Sequence, residues 1–244
     1  MSQMRDLLSR TLRHVTNRKL VALPTNVWGT KGFEFWTFLS LLLLKSNCSR
    51  ILELGTGRSS ITLAEYAKFR NAHLTCVETD QQWFNKLRLD LRHLGLPTTA
   101  LQLIPLDRSA GWYGLEQFRA AMRTTSFDFL FVDGPNESMG NSRGIRNSEL
   151  GIGEIRACGR NAEVIIVDDV HRRHILDTLD GILVNPSQYD KWFYHYRPGK
   201  RSEANTLCII LRRGSKASSE LSAIKSITGL TLHPTFDPES CCED

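Results

Sequence analysis

The stretch Ile51-Leu52-Glu53-Leu54-Gly55-Thr56-Gly57-Arg58-Ser59-Ser60-Ile61-Thr62-Leu63-Ala64 decides how the rest of the chain is read. An apolar run ends in a carboxylate, turns on two glycines and restarts with helical spacing. The pattern predicts a strand, a tight loop and a helix N-terminus, a geometry that holds nucleotide-like ligands through backbone N–H groups. Glycine at 55 and 57 permits unusual backbone angles and lets a ligand lie against the main chain.

Working outward, apolar strand candidates fall at 50–54, 73–78, 100–105, 127–133 and 162–168, with helical stretches at 59–69, 81–94, 114–123 and 146–158 between them. Repeated strand-helix units imply a parallel sheet covered on both faces. Gly159 suits a helix C-cap. After a helix over 172–184 come two β-rich runs, KWFYHYR (191–197) and TLCIILR (206–212). The polar link between them is too short for a helical crossover, so they are expected to be antiparallel neighbours. The expected fold class is therefore α/β, a doubly wound seven-stranded sheet, mostly parallel with a C-terminal antiparallel pair.

The flanks divide the chain into an N-terminal helix and loop (1–32), a main domain (33–213) and a C-terminal extension (214–244). Leu7, Leu8, Leu12 and Val15 space a short amphipathic helix over 5–18, and Pro24, Asn26 and two glycines mark a loop over 22–32. The run FEFWTFLSLLLL (33–44) contains Glu34 and is too short to span a bilayer, so it reads as a buried helix within 33–46. A short helix is expected at 218–227 and a frayed tail at 235–244.

At 244 residues, 41% hydrophobic and 23% charged, the composition fits one large globular domain. Cys48, Cys76, Cys158, Cys208, Cys241 and Cys242 form no C-x-x-C pair. Residues 1–20 lack the continuous apolar core of a signal peptide, and a reduced, cytoplasmic protein is expected. The net charge of +5 is spread over 5–19 and over Arg143, Arg146, Arg156, Arg160, Arg172, Arg173, Lys200 and Arg201. That diffuse pattern suits an anionic small molecule better than a nucleic acid. The apolar 33–44 helix and the basic N-terminus are candidate contacts for a homodimer.

Two ligand classes use such a glycine loop, dinucleotides and S-adenosylmethionine. The dinucleotide fingerprint places glycine at the sixth position of G-x-G-x-x-G, where this chain has Ser60. Glu53, just before the loop, would oppose a pyrophosphate but can orient the α-ammonium of a methionine moiety. Glu78 ends the next strand, 21 residues after Gly57, where a carboxylate can accept from both ribose hydroxyls.

The run E-L-G-T-G-R-S-S, then V-E-T-D, then the seven-strand pattern resembles the class I S-adenosylmethionine-dependent methyltransferases over about residues 33–212. The chain is most similar to a branch with G-x-G-x-S-[ST], a Trp-Tyr pair before the fourth strand, V-D-G-P ending it and D-D-V ending the fifth. Here these are Gly55, Gly57, Ser59 and Ser60; Trp112 and Tyr113; Val132-Asp133-Gly134-Pro135; and Asp168-Asp169-Val170. The resemblance implies a cofactor pocket at the carboxyl ends of the first four strands. Gly55, Gly57, Ser59 and Ser60 would approach the cofactor, Glu53 would bear on its amino-acid end, and Glu78 would hold the ribose. Asp107 and Arg108 fall where such proteins contact adenine, and Asp133 would border the cofactor as well. Asp107 could instead cap a helix, and Trp112 and Tyr113 either stack on adenine or fill the core.

Asp133, Asp168 and Asp169 each follow an apolar strand and are expected at one rim. Three carboxylates there suit a hard divalent cation such as Mg²⁺, and the pattern resembles the metal-dependent O-methyltransferases. Adjacent strand residues point opposite ways, so Asp168 and Asp169 can both be ligands only if the chain turns there. The alternative has Asp133 face the substrate while Asp168 or Asp169 caps the next helix. Asp133, Asp168 and His171 are the catalytic candidates; His171 and His174 equally suit the first turn of a basic helix. The loop 134–147 borders the site, with Arg143 and Arg146 able to grip a carboxylate or phosphate. The expected activity is O-methylation of a small, anionic or sugar-like acceptor, with S-adenosylmethionine and a divalent cation. The rivals are a nicotinamide-dependent oxidoreductase and a methyltransferase-like binding module without turnover.

Overall fold

The computed structural model describes residues 32–122, 126–135, 149–196 and 205–236. The helix expected at 5–18, the loop at 22–31, Arg143, Arg146, most of the 134–147 loop, Cys241, Cys242 and the last eight residues lie outside them.

Nine strands follow in chain order: β1 (Arg50–Leu54), β2 (His73–Glu78), β3 (Leu101–Leu103), β4 (Leu106–Asp107), β5 (Trp112–Tyr113), β6 (Phe129–Val132), β7 (Val164–Val167), β8 (Tyr189–Tyr196) and β9 (Asn205–Arg212). Seven form one sheet in the order β3-β2-β1-β6-β7-β9-β8, and β4 and β5 form a separate hairpin. The strands from β3 to β7 run parallel. Strand β9 inserts antiparallel between β7 and β8, so the two C-terminal strands are antiparallel neighbours as their short link requires.

Period-two alternation assigns the two faces. Ile51, Leu74, Cys76, Phe129, Phe131 and Ile209 join a core under α1 (Gly32–Ser46), α2 (Arg58–Arg70), α3 (Gln81–His93) and α7 (Lys216–Thr228). Leu52, Leu54, Val77, Leu130, Ile165 and Ile210 face the core under α4 (Leu115–Met122), α5 (Glu149–Cys158) and α6 (Arg173–Leu176). The apolar helix α1 is buried within the chain: Phe35, Phe38, Leu39, Leu41, Leu42 and Leu43 are fully covered, and Ala217, Leu221 and Ile224 of α7 belong to the same core. No helix among the described residues is long and apolar enough to cross a membrane. Cys48, Cys76, Cys158 and Cys208 are buried free thiols.

One expectation changes. The helix expected over 172–184 is one turn, Arg173–Leu176, because the chain beyond it closes with three-residue turns (Thr178 N–H to Ile175 O, Leu179 N–H to Leu176 O, Leu183 N–H to Asp180 O). Ile175, Leu179, Ile182 and Leu183 still bury their helically spaced side chains. Gly159 does cap α5, its N–H bonding to Ile155 O at 2.8 Å, though its φ is not left-handed; a Cβ there would also stand 3.1 Å from Leu130 Cδ2. The segment after α7 reaches the sheet edge, where Phe193 of β8 and His233 exchange backbone hydrogen bonds of 2.8 and 2.9 Å.

Candidate functional site

Strand β1 delivers Glu53 to the α2 face, beneath that helix's first turn, paired in register with Cys76 and Phe131. Its Oε2 accepts from Ser60 Oγ at 2.6 Å, and Ser60 Oγ accepts from Gly57 N–H at 2.9 Å. A hydroxyl thus links the buried carboxylate to the loop peptide. Burial pushes Glu53 up to about 7, against the hydroxyls of Ser59 and Ser60 and the Cys76 thiol, which favour the ionised form.

The two loop glycines have different reasons. Gly55 sits at φ +80°, and a Cβ there would fall 2.6 Å from the Asp133 carbonyl carbon and 2.7 Å from Gly134 N. Gly134 is the reciprocal case, its Cβ position lying 2.6 Å from Gly55 Cα. The two strand-end turns therefore touch backbone to backbone. Gly57 is extended at φ −177°, which any residue adopts, and beyond its chain neighbours no described atom lies within 4 Å of its Cβ position. Neither backbone strain nor a protein neighbour requires glycine at 57. The open space is a cradle that a side chain would fill, and it fits a ligand laid along the loop.

Glu78 ends β2 on the same rim. Its Oε2 accepts from Thr56 N–H at 3.1 Å and Thr56 Oγ1 at 2.6 Å, and Oε1 from the N–H groups of Thr79 and Asp80 at 2.7 and 3.0 Å. Trp83 Nε1 donates to Thr56 O at 2.8 Å, so the middle of the glycine loop is held from two sides. Asp80 caps α3 through Trp83 N–H at 2.6 Å.

Ile104 N–H donates to Glu78 O, placing the β4–β5 hairpin at this rim. Asp107 does not cap a helix. Its Oδ1 closes the hairpin turn by accepting from Ser109 Oγ at 2.6 Å, Ser109 N–H at 2.9 Å and Ala110 N–H at 3.3 Å, and these bonds lower its pKa. Asp107 and Arg108 are both exposed. Trp112 and Tyr113 are core residues, fully buried against Phe118 at ring separations of 5.6 and 5.5 Å.

Asp133 follows β6, half-buried, its N–H bonded to Leu54 O at 2.7 Å. Asp168 follows β7 and is buried; its Oδ1 accepts from Asp169 N–H at 2.9 Å and from Tyr196 Oη at 2.8 Å. Asp169 has a left-handed φ of +60°, so the chain does turn between the paired aspartates. Its Oδ2 lies 3.5 Å from Arg172 Nη2. The residue at the α6 N-cap is Arg172, with no side-chain cap bond, so neither aspartate caps that helix. His171 and His174 are half-buried, His171 in the preceding turn and His174 within the single turn of α6. Among the described residues, no three His, Cys, Asp or Glu side chains converge as a metal site needs. The set Asp133, Asp168 and Asp169 expected to hold a divalent cation is not assembled. The chain turn presents Asp169 toward Arg172, while two donors occupy Asp168 Oδ1.

No protein-family model matches the chain, and no curated protein matches it in sequence. Solved structures do match. A putative O-methyltransferase from Klebsiella pneumoniae superposes with a TM-score of 0.54 at 16% identity, over 87% of this chain and 90% of that one. An O-methyltransferase from Bacillus cereus in complex with S-adenosylhomocysteine gives 0.52 at 17%, over 87% and 91%. The O-methyltransferase TomG from Streptomyces achromogenes, in complex with S-adenosylmethionine, gives 0.52 at 17%, over 86% and 90%. The fold is the Rossmann-like methyltransferase fold. At these identities the likeness is one of architecture, and the chemistry has to be argued from this chain's own residues.

Those residues gather at one end of the sheet. The structure brings Glu53, Gly55, Gly57, Ser59, Ser60, Glu78, Asp133, Asp168 and Asp169 to the carboxyl ends of β1, β2, β6 and β7. Thr56, Trp83 and Tyr196 were missed. Thr56 lay inside the quoted loop, and the alternation of KWFYHYR, which puts Trp192, Tyr194 and Tyr196 on one face, was the available signal for Tyr196.

Proposed function

We propose that the protein is an S-adenosylmethionine-dependent methyltransferase that O-methylates a small hydroxylated acceptor, anionic or sugar-like. The observation that carries the reading is the cradle at Gly57, flanked by Glu53 and Glu78. A pyrophosphate there would meet the Glu53 carboxylate just before the loop, whereas an α-ammonium is matched by it; Glu78 suits the ribose of either cofactor. This disfavours the nicotinamide reading. The bound cofactors of the architecturally similar O-methyltransferases support the same choice.

The residues present fit that cofactor. Gly55 and Gly57 would let it lie on the loop, Glu53 and the Ser60 hydroxyl would bear on its amino-acid end, and Glu78 would take the ribose. Bound there, the cofactor supplies an electrophilic methyl group. Methyl transfer forms the acceptor O–CH₃ bond as the S–CH₃ bond breaks, so the acceptor oxygen must lie in line with that bond and give up its proton. Asp133 and Asp168, at the ends of β6 and β7, are the carboxylates that would accept that proton. Carboxylates at the rim also stabilise the cationic cofactor before transfer. A metal-assisted version would need three converging ligands, which the described residues do not assemble. Acceptor choice is assigned to the segments bordering Asp133, the 134–147 loop foremost.

Calorimetric titration with S-adenosylhomocysteine tests the reading. One-to-one binding is expected, with no heat from NAD⁺ under the same conditions. A folded protein that ignores millimolar S-adenosylhomocysteine would sink it. A screen of hydroxylated acceptors with radiolabelled S-adenosylmethionine then separates an enzyme from a binding module.

A further inference from the structure

We propose that Tyr196 is a positioning residue of the methyl-transfer site, acting through Asp168; the inference rests on the methyltransferase reading above. Tyr196 ends β8, opposite Asn205 of β9, and is 8% exposed. Its hydroxyl donates to Asp168 Oδ1 at 2.8 Å across 28 residues of sequence. The same oxygen accepts from Asp169 N–H at 2.9 Å. Two donors converging on one carboxylate oxygen fix the torsion of a group that would otherwise rotate about its Cβ–Cγ bond.

The phenol is itself held. Its ring stacks on Tyr194 at 5.8 Å and 18°, and Tyr194 stacks on Phe35 of α1 at 5.8 Å and 10°. This row of rings runs from the first turn of α1 to the rim and prevents the hydroxyl from swinging off Asp168. Burial, with the negative charges of Asp168, Asp133 and Asp169, raises the phenol's pKa far above its ordinary value, so it stays a donor. Donating to Asp168, Tyr196 aims a carboxylate that can act as a base.

Asp168 N–H bonds to Val132 O at 2.9 Å, so Asp168 and Asp133 emerge side by side from β7 and β6. The carboxylate braced by Tyr196 has the fixed direction that proton acceptance in an in-line displacement needs. Tyr196→Phe keeps the ring stack and removes only the hydroxyl. It should leave S-adenosylhomocysteine affinity within twofold of wild type. With whichever acceptor the screen returns, kcat should fall about tenfold with little change in KM, as loss of orientation predicts.

A second readout needs no acceptor. With ¹³Cζ-labelled tyrosine, the Tyr196 signal is the one of five that disappears in Tyr196→Phe. In wild type it should carry the downfield shift of a phenol bonded to a carboxylate, and in Asp168→Asn it should move toward the position of an exposed tyrosine. An unchanged Tyr196 signal in Asp168→Asn overturns the proposal. So does a Tyr196→Phe enzyme with wild-type kcat, or one that loses cofactor affinity and kcat together. Wild-type protein that shows the Tyr196 signal but binds no S-adenosylhomocysteine would instead defeat the methyltransferase reading and leave the Tyr196–Asp168 bond standing.

Discussion

Gly55 and Gly57 are two residues apart, and substituting each with alanine should separate fold from ligand. A Cβ at 55 meets the 133–134 backbone at 2.6 Å from a left-handed φ, so Gly55→Ala should cost about 2 kcal/mol or more and lower Tm visibly in a thermal scan. Gly57→Ala meets open space at an ordinary φ, so Tm should stay within about 3 °C of wild type. Its S-adenosylhomocysteine affinity should nevertheless collapse in calorimetry, because the methyl group occupies the cradle. Glu53 gives a pH-dependent test. Its ordinary carboxyl titrates near ~4.3 in an unfolded chain, and burial moves it to about 7 in the fold. Between those values the folded state keeps a proton that the unfolded state releases, so stability falls as pH rises through the window. A cationic ligand favours the ionised form, so binding should release protons and tighten as pH rises from about 6 to about 8. Titration in buffers of different ionisation heat reads the proton release directly. Glu53→Gln should weaken binding by about tenfold above pH 7 and flatten both pH dependences.

At the scale of elements, the antiparallel end of the sheet places Tyr196 beside Asp168, and the segment after α7 covers the outer edge of β8. Leu230 and Leu232 are buried, and Phe236 packs on Phe193 at 5.7 Å. Ending the chain after Gly229 removes these contacts and exposes the β8 edge. The truncated protein should melt several degrees lower and self-associate in sizing chromatography, since an unpaired edge recruits another strand. The one-turn helix α6 shows why element boundaries were the least legible part of this region. Ile175, Leu179, Ile182 and Leu183 have helical spacing, and burial requires only that spacing. The backbone met it with three-residue turns, aided by Thr178 Oγ1 donating back to Ile175 O at 2.8 Å.

For the whole molecule, the arrangement of charge at the rim bears on metal dependence. Because Asp133, Asp168 and Asp169 do not converge as a metal site, methyl transfer should persist at more than half its rate in excess EDTA. A complete loss restored by Mg²⁺ would show that the ligands regroup when the acceptor binds. Strand positions in the parallel half were legible to within a residue or two, because period-two burial and the Gly-Thr-Gly turn are local properties. The place of the two loop carboxylates was legible too, since Glu53 and Glu78 stand at the C-terminal ends of apolar strands. Three things needed the tertiary structure. Whether Asp168 and Asp169 point together depends on a left-handed turn at 169 that composition does not announce. Asp107 closes a hairpin because the chain reverses at Ser109, a choice between turn and cap that the residue type leaves equal. Tyr196 reaches Asp168 because β9 inserts between β7 and β8. Local spacing determines which residues line a strand's end, whereas the order of strands across the sheet determines which ends become neighbours, and that order is settled by packing between distant segments.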